Sequence, residues 1–458
     1  MPQSCTPRNR RGAPRVPGRV ARNRTVSTPT VPRSLFPSTV SRSGAGRTRS
    51  GRTGPPGASA GRPPRIVAPD LRVADGAAGV VFRAAANRGP LARDHIAKLT
   101  GLSTATVNRQ VSSLLDVGLL RERAGLTEPG AVGRPRIPIE VDHERYLTVG
   151  IHIGAVTTGI VAVDLRGRIL AGVEIPTPTG DQDTALTTIA SAAVTFVSRW
   201  HRRTPLWSGV ALGGRVDPVA GTADHPRSGW VDAPVGAIIG GGLGLPVSVS
   251  AHVEAMAAAE LLLTPDREAV AGTGTGLYVY ARETVGIALT FDGKVHTPRG
   301  GPGSIAHLPT GSSAQCPCGA VGCLEATVSD RATVENAQRQ GVLGEGDASI
   351  RGLYGLARDG SAAAHGLLVE RATVLGRTVA LLRDLFNPDR VVLGGQAFTE
   401  YPAAVAHVAS AFDRASTLPG KGIGVTAFGN RVQAYAAGAV SLSSLYSDPL
   451  GAMRRRAV

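Results

Sequence analysis

The sequence contains no long uninterrupted apolar run. Hydrophobic residues make up 42% of the 458 positions, enough to fill sizeable cores, but no stretch approaches the roughly 20 apolar residues of a membrane-spanning helix. Residues 1–24 are rich in arginine and proline, and they lack the basic, apolar and small-residue order of a secretory signal peptide. These absences argue against a membrane protein and against a secreted one, and they predict a cytoplasmic protein without a membrane partner.

Cysteine and lysine are both scarce. The chain has four cysteines, and Cys316, Cys318 and Cys323 lie within eight residues of one another. Such crowding is not typical of a disulfide framework, which spreads its cysteines along a small secreted domain. Lysine occurs at three positions, so arginine supplies nearly all of the positive charge.

Acidic residues are absent from the first 65 positions. This segment holds fourteen arginines and a net charge of +14, whereas residues 66–458 hold 36 basic and 34 acidic residues, a net charge of +2. Because residues 1–70 are rich in Pro, Arg, Ser and Gly and poor in large apolar side chains, we predict that they are disordered. The segment is either a basic arm that adds phosphate contacts to nucleic acid or a solvated extension translated from an upstream start.

Residues 71–140 have the pattern of a winged helix-turn-helix domain. Two short helical patterns precede a turn at Gly101, and a third helix follows from Ser103, a candidate N-cap, to about Val117. A predicted strand at 119–123 and a return segment at 133–138 complete the unit as a wing.

The third helix of this unit has an apolar stripe and an opposite polar face. Val107, Val111, Leu114 and Leu115 follow the helical spacing of a buried stripe. The opposite face suits the major groove, because Arg can bond guanine, Asn or Gln can bond adenine, and Thr can touch the thymine methyl group. The candidate DNA-binding residues are Ser103, Thr104, Thr106, Asn108, Arg109, Gln110 and Ser113 on the helix, and Arg134 and Arg136 on the wing. The alternative is a three-helix interaction module whose polar face is only solvated.

Beyond Tyr146 the pattern changes to strands that alternate with helices. Three strands in a meander, a helix, a strand and a helix are followed by a second run of similar order. The second run includes a long helix at about 363–386, a strand at 390–393 and a last helix at 431–445. This recurrence predicts two similar α/β lobes with a cleft between them.

The most specific motif lies at 300–325. The segment 300–308 reads GGPGSIAHL, and the segment 316–325 reads CPCGAVGCLE. This resembles the signature of the ROK family (repressors, open reading frames and sugar kinases), in which a His precedes C-x-C-G-x-x-G-C-x-E. The resemblance covers nearly all of 75–445. It implies an α/β fold in which a winged helix-turn-helix precedes an actin-like, ribonuclease H-like, two-lobed ROK domain at 141–450.

The motif supplies a ligand set for a structural metal ion. His307 and the thiolates of Cys316, Cys318 and Cys323 offer one nitrogen and three sulfur donors, which suits tetrahedral Zn²⁺. Four protein ligands would close the site, so the zinc would be structural and not catalytic. The alternative is three unrelated reduced thiols.

The sequence departs from the family's kinases at several positions. Their Asp-x-Gly-x-Thr phosphate loop reads His-Ile-Gly-Ala-Val at 152–156, so His152 and Val156 replace the Mg²⁺-positioning Asp and the Thr. Their Asn-Asp pair, whose Asp is the catalytic base, is replaced by Ala-His with His252 in the base position. The second phosphate loop falls at 281–284 without its glycines.

The resemblance also assigns candidate effector residues. His307 and Glu325 match family positions that touch the sugar, and Ser304 stands where the E-x-G-H motif has its sugar-binding Glu. The cleft would bind a sugar or phosphosugar effector, bind another partner, or serve only as a dimerisation body.

The substitutions at the kinase positions argue against phosphoryl transfer by this protein. Phosphoryl transfer needs positioning, charge neutralisation and an oriented nucleophile, and the substitutions affect all three. We therefore predict a transcriptional regulator, in first place a repressor, and not an enzyme. It would bind a palindromic double-stranded operator as a homodimer or tetramer. The alternatives are an ATP-dependent ROK sugar kinase and a zinc-stabilised scaffold that responds to no ligand.

Overall fold

Two successive α/β patterns in the sequence become two sheets in the computed structural model. It describes residues 64–126, 136–264, 274–298, 301, 303–344, 346, 348–419 and 422–457. The predicted wing residue Arg134 and residues 1–63 of the predicted tail lie outside these ranges.

The described elements alternate in type along most of the chain. The α-helices are α1 (Ala77–Arg88), α2 (Arg93–Thr100), α3 (Thr104–Asp116), α4 (Gln182–Val197), α5 (Val235–Leu243), α6 (His252–Leu263), α7 (Leu324–Val328), α8 (Asp330–Arg339), α9 (Ile350–Arg358), α10 (Ala362–Phe386), α11 (Gln396–Thr399), α12 (Pro402–Ala415), α13 (Val432–Ser447) and α14 (Pro449–Ala457). The strands are β1 (Leu120–Glu122), β2 (Ile139–Val141), β3 (Tyr146–Ile153), β4 (Thr157–Val163), β5 (Ile169–Pro176), β6 (Thr204–Leu212), β7 (Arg215–Asp217), β8 (Thr222–His225), β9 (Trp230–Ala233), β10 (Val247–Ala251), β11 (Thr275–Ala281), β12 (Val285–Phe291), β13 (Lys294–Val295), β14 (Arg390–Gly394) and β15 (Ile423–Val425).

The two five-stranded sheets have the same topology. In lobe 1 the order is β10-β6-β3-β4-β5, with an antiparallel β3-β4-β5 meander and parallel β3, β6 and β10. In lobe 2 the order is β13-β12-β11-β14-β15, with an antiparallel β11-β12-β13 meander and parallel β11, β14 and β15. The prediction of two similar α/β lobes is therefore confirmed.

Helices cover the sheet of lobe 1 on both faces. Every residue of β3 is buried, as in strands that are covered on two sides. Helix α13 lies directly on β3 and β6, and the close approach requires glycine. A Cβ atom on Gly209 would lie 2.2 Å from the backbone nitrogen of Ser441, and one on Gly150 would lie 2.7 Å from the carbonyl carbon of Ala437.

The three N-terminal helices pack on the two-lobed body. Val107, Val111 and Leu114 of α3 are fully buried, as the apolar stripe predicted. The ring of Phe82 in α1 meets the ring of Tyr446 in α13 with centroids 6.1 Å apart. Helices α1 to α3 thus share one continuous hydrophobic core with α6 and α13.

The segment 64–74 differs from the disordered tail that the sequence predicts as far as residue 70. The backbone N–H of Val67 donates to the carbonyl oxygen of Val247 at 2.9 Å, and the N–H of Val295 donates to the carbonyl oxygen of Leu71 at 2.9 Å. Leu71 is buried. The composition averaged over the whole segment is rich in Pro and Arg. It hides a short alternation of apolar residues near the end of the segment.

The longest described helix, α10, carries a charged residue on its buried side. Arg371 is buried and bonds to Asp330 at 2.6 Å, so a charged pair lies inside lobe 2.

Among the described helices, none is both long enough and apolar enough to cross a membrane.

Candidate functional site

The exposed face of α3 carries the predicted DNA-binding side chains. Ser103 caps the helix, because its hydroxyl accepts from the backbone N–H of Thr106 at 3.2 Å. The two hydroxyl groups of Ser103 and Thr106 also lie 2.9 Å apart. Asn108 and Arg109 are exposed, and Arg109 forms no ion pair with any described residue. Thr104 is also exposed, whereas Gln110 and Ser113 are half-buried at the border of the face.

Arg136, the one predicted wing arginine that lies within the described residues, forms an ion pair with α2. Arg136 is 72% exposed, and its Nη1 lies 2.9 Å from the carboxylate of Asp94 in the first turn of α2. Arg136 therefore lies against the second helix of the N-terminal unit while most of its side chain faces solvent.

A buried carboxylate joins the N-terminal unit to lobe 1. Glu140 of β2 is 2% exposed and is contacted by three arginines. Arg121 and Arg123 come from the neighbouring strand segment, and Arg166 comes from the turn between β4 and β5, with its Nη2 2.8 Å from Glu140. Burial alone would raise the pKa of Glu140, but the hydrogen bonds from Arg123 and Arg121 outweigh burial and lower it. Sequence reasoning did not identify this cluster.

A cavity of about 600 Å³ lies between elements of the two lobes. Its wall includes the β3–β4 loop that matches the first kinase phosphate loop, the β11–β12 turn at 282–284 that matches the second, and His252 at the start of α6. The turn at 282–284 directly follows β11, as the sequence predicted.

Three histidines, His152, His225 and His252, line the cavity. The rings of His152 and His252 are 5.9 Å apart, and the ring of His252 meets that of Tyr280 at 5.2 Å. Burial lowers the pKa of His152 well below its ordinary value and lowers the pKa of His252 to about 4. Burial also lowers the pKa of His225. All three rings are therefore neutral near pH 7.

Glu325 faces this cavity and is already bonded across the cleft. One carboxylate oxygen lies 3.0 Å from Nη2 of Arg227, and the other accepts from the backbone N–H of Val285 at 3.1 Å. Arg227 belongs to a short 3₁₀ turn in lobe 1 and also approaches the carboxylate of Glu283 at 3.7 Å. It therefore connects the two lobes at the site where the effector was predicted to bind.

The other two predicted effector residues occupy different positions. Ser304 lines the cavity, and its hydroxyl accepts from the backbone N–H of Ala306 at 3.3 Å. His307 is not among the residues that line the cavity, because its ring faces Cys316. The sequence motif assigned His307 to both a metal site and a sugar site, and the structure places it with the three cysteines.

The predicted metal ligands come together on one loop. The donor atoms of His307, Cys316, Cys318 and Cys323 all lie within 4.8 Å of one another. Nδ1 of His307 is 3.7 Å from Sγ of Cys316, and the Sγ atoms of Cys318 and Cys323 are also 3.7 Å apart. These separations fit donors that share one tetrahedral metal ion, which in the case of zinc lies about 2.3 Å from sulfur and about 2.0 Å from nitrogen.

Backbone geometry shapes the loop that carries the three cysteines. Gly319 and Gly322 adopt positive φ angles of 90° and 78°, which glycine tolerates and which turn the chain back toward Cys323. The backbone N–H of Ala320 is the main cause that lowers the pKa of Cys318 to about 7. The thiolate, the form that binds metal, is therefore accessible at neutral pH. The cluster can hold a metal ion.

Fold and site together define a two-lobed α/β protein with an interlobe cavity, a His-Cys₃ cluster and an N-terminal three-helix unit. Among solved structures, the fold is similar to a ROK family transcriptional regulator, a homolog of the Escherichia coli MLC protein. The TM-score is 0.68 at 23% identity, over 82% of this chain and 97% of that one. A ROK family glucokinase from Streptomyces griseus in complex with glucose and AMPPNP has a TM-score of 0.56 at 25% identity, over 64% of this chain and 99% of that one.

Sequence comparison identifies the family. The ROK family profile matches residues 148–442. The chain is 55% identical over 399 residues to the transcriptional regulator Rv0485 of Mycobacterium tuberculosis. The alignment covers 85% of this chain and 90% of that protein. It is 26% identical over 335 residues to the DNA-binding transcriptional dual regulator NagC of Escherichia coli, covering 69% and 79% respectively. The chain belongs to the ROK family, and both of these relatives are named as transcriptional regulators.

Proposed function

We propose that the protein is a transcriptional repressor that reads a palindromic operator with α3. The observation that carries the proposal is the exposed Arg109, which has no ion-pair partner among the described residues, on a helix whose opposite face is anchored in the ROK body. A helix of this kind enters the major groove and reads base edges there. The 55% identity to a transcriptional regulator over most of both chains supports the same function.

The wing and a second copy of the chain complete the proposed interface. Arg136, and Arg134 beside it in sequence, would contact phosphate or the adjacent minor groove. One three-helix unit reads one half-site, so a palindromic operator requires a homodimer or a tetramer. The spacing of the two α3 helices would set the half-site separation.

The interlobe cavity would bind the effector. Ser304 and Glu325 line it, and both have polar groups suited to sugar hydroxyls or to a phosphosugar. Because Arg227 joins Glu325 across the cleft, a ligand that bonds to Glu325 would compete with an interlobe contact. An effector acts by binding one arrangement of the lobes more tightly than the other.

The cavity chemistry favours a sensor over a kinase. His152 and His252 are neutral rings at the two positions where the resemblance places aspartates. Mg²⁺ prefers oxygen ligands, and a neutral buried imidazole supplies neither charge nor oxygen. A base with a pKa of about 4 is also poorly matched to proton abstraction near pH 7.

The metal in the His-Cys₃ cluster would be zinc in a structural role. His307, Cys316, Cys318 and Cys323 would hold it with no open coordination position. When bound, the ion would fix the conformation of the loop that leads into α7. Glu325, which lines the cavity, belongs to the first turn of this helix.

Capture of genomic DNA by the full chain tests the proposed function. Fragments enriched by the purified protein should share one inverted repeat with half-sites separated by about one helical turn or a multiple of it. Enrichment without any shared sequence would contradict operator reading by α3, because only phosphate contacts bind all sequences alike.

A further inference from the structure

The C-terminal helix α14 lies beside the N-terminal helices. It contacts α1 and α3, and the partly buried Leu450 and Met453 pack into the core shared with those helices. Arg454 and Arg456 near the end of α14 are exposed. Neither of them has an ion-pair partner among the described residues.

Arg65 adds a third exposed guanidinium at the same place. Its Nη1 donates to the backbone carbonyl of Arg455 at 2.7 Å, so residue 65 is fixed against α14. Arg455 itself is compensated, since its guanidinium lies 3.5 Å from the carboxylate of Asp448. Arg65 is also the last of the fourteen arginines in the acid-free segment 1–65. Arg65, near the start of the described residues, and Arg454 and Arg456, near their end, therefore lie together at α14.

This concentration of charge is local. Residues 66–458 carry a net charge of only +2, and many arginines of the body are paired, as Arg358 is with Glu400 at 2.8 Å. Arg65, Arg454 and Arg456 are instead exposed, have no acidic partner among the described residues, and lie together at α14. Duplex DNA carries one negative charge per roughly 1.7 Å of its axis, and guanidinium groups match phosphate oxygens in bidentate geometry.

We propose that Arg65, Arg454 and Arg456, the C-terminal basic surface, bind the phosphate backbone of the duplex DNA that flanks the operator. The inference rests on the proposed function, since it needs α3 to bring DNA to this side of the molecule. The surface contacts phosphate and not bases, so it adds affinity without adding sequence preference. It differs in this respect from Arg109, whose contacts would discriminate between base pairs.

The test compares two full-length double variants that lose the same charge. Arg454→Gln with Arg456→Gln removes the basic pair of α14, and Arg351→Gln with Arg377→Gln removes two exposed arginines from α9 and α10 in lobe 2. Glutamine retains helix propensity, so both proteins should keep the thermal midpoint of the wild type. The probes are a duplex of about 40 base pairs that carries the captured repeat, long enough to include flanking phosphates, and a scrambled duplex of the same composition.

The measured quantity is the slope of log affinity against log salt concentration. For the α14 variant the slope should become less steep by about 0.9 for each phosphate that the protein no longer neutralises, and affinity should fall by the same factor on both duplexes. The lobe 2 variant should match the wild type. Equal slopes for the two double variants would overturn the inference.

The same experiment separates this inference from the proposed function. A wild-type chain that binds both duplexes equally would show that α3 does not read an operator. In that case the difference between the salt slopes of the two variants would still decide whether the C-terminal basic surface binds phosphate.

Discussion

Replacing Glu140 with alanine is expected to destabilise the N-terminal helices and their attachment to lobe 1 by about 3–5 kcal/mol, the cost of removing one partner from a buried ion cluster. The substitution leaves Arg121, Arg123 and Arg166 facing one another without the carboxylate that joins them. Urea unfolding measures the loss of stability. Limited proteolysis of the folded protein measures how readily the N-terminal helices detach. Operator affinity should fall with it, because α3 loses its fixed position.

Glu144→Ala provides a matched control for this substitution. Glu144 also pairs with Arg121, but its side chain is 64% exposed. Exposed pairs contribute about 0–1 kcal/mol, so this variant should resemble the wild type. If the two variants lose equal stability, the burial of Glu140 does not matter and the account of the cluster is wrong.

The Glu140 effect should also depend on pH in a defined direction. The arginines lower the pKa of Glu140 below the usual value of 4.5. The carboxylate therefore contributes its full stability above the unfolded-state pKa, and this contribution is lost as the pH falls through the folded-state pKa. The stability difference between wild type and Glu140→Ala should be full at pH 7 and should shrink below about pH 4.5.

Replacing Cys318 with serine is expected to abolish the proposed binding of zinc by the His-Cys₃ cluster. The serine hydroxyl does not replace a thiolate in a His-Cys₃ set, and three ligands hold zinc far less tightly than four. Loss of a metal is among the few mechanisms that cost more than about 4 kcal/mol, so the thermal midpoint should also fall. Metal analysis of the dialysed protein, with zinc present during expression, measures occupancy directly.

Cys5→Ser is the control for the metal site, since Cys5 lies in the Arg-rich segment far in sequence from the cluster. It should retain the zinc and the thermal midpoint of the wild type. Full zinc content in Cys318→Ser would remove the four-ligand description of the cluster.

The elements that sequence reasoning predicted have strong local patterns. The recurring strand meander predicted both lobes, and the spacing of Cys316, Cys318 and Cys323 predicted the cluster that the structure assembles with His307. The apolar stripe of α3 predicted which of its faces is buried. In each case neighbours in sequence determine the outcome.

The features that were missed depend on distant contacts. The small sheet β7-β8-β9 consists of strands of three or four residues, too short to show a periodicity, yet it places His225 at the cavity and leads into the turn that carries Arg227. The partners of Glu140 come from the register of β1 with β2 and from a turn in lobe 1. Neither the register nor the docking of the turn can be read from a local pattern.

The most direct test of the central claim is the affinity of Arg109→Ala for the captured repeat and for its single-base-pair variants. If α3 reads the operator, affinity should fall by about 1–3 kcal/mol, and discrimination should relax at one base pair of each half-site. Arg351→Ala, on the exposed surface of lobe 2, should bind as the wild type does. Unchanged affinity and unchanged base preference in Arg109→Ala would contradict the assignment of α3 as the DNA-reading helix.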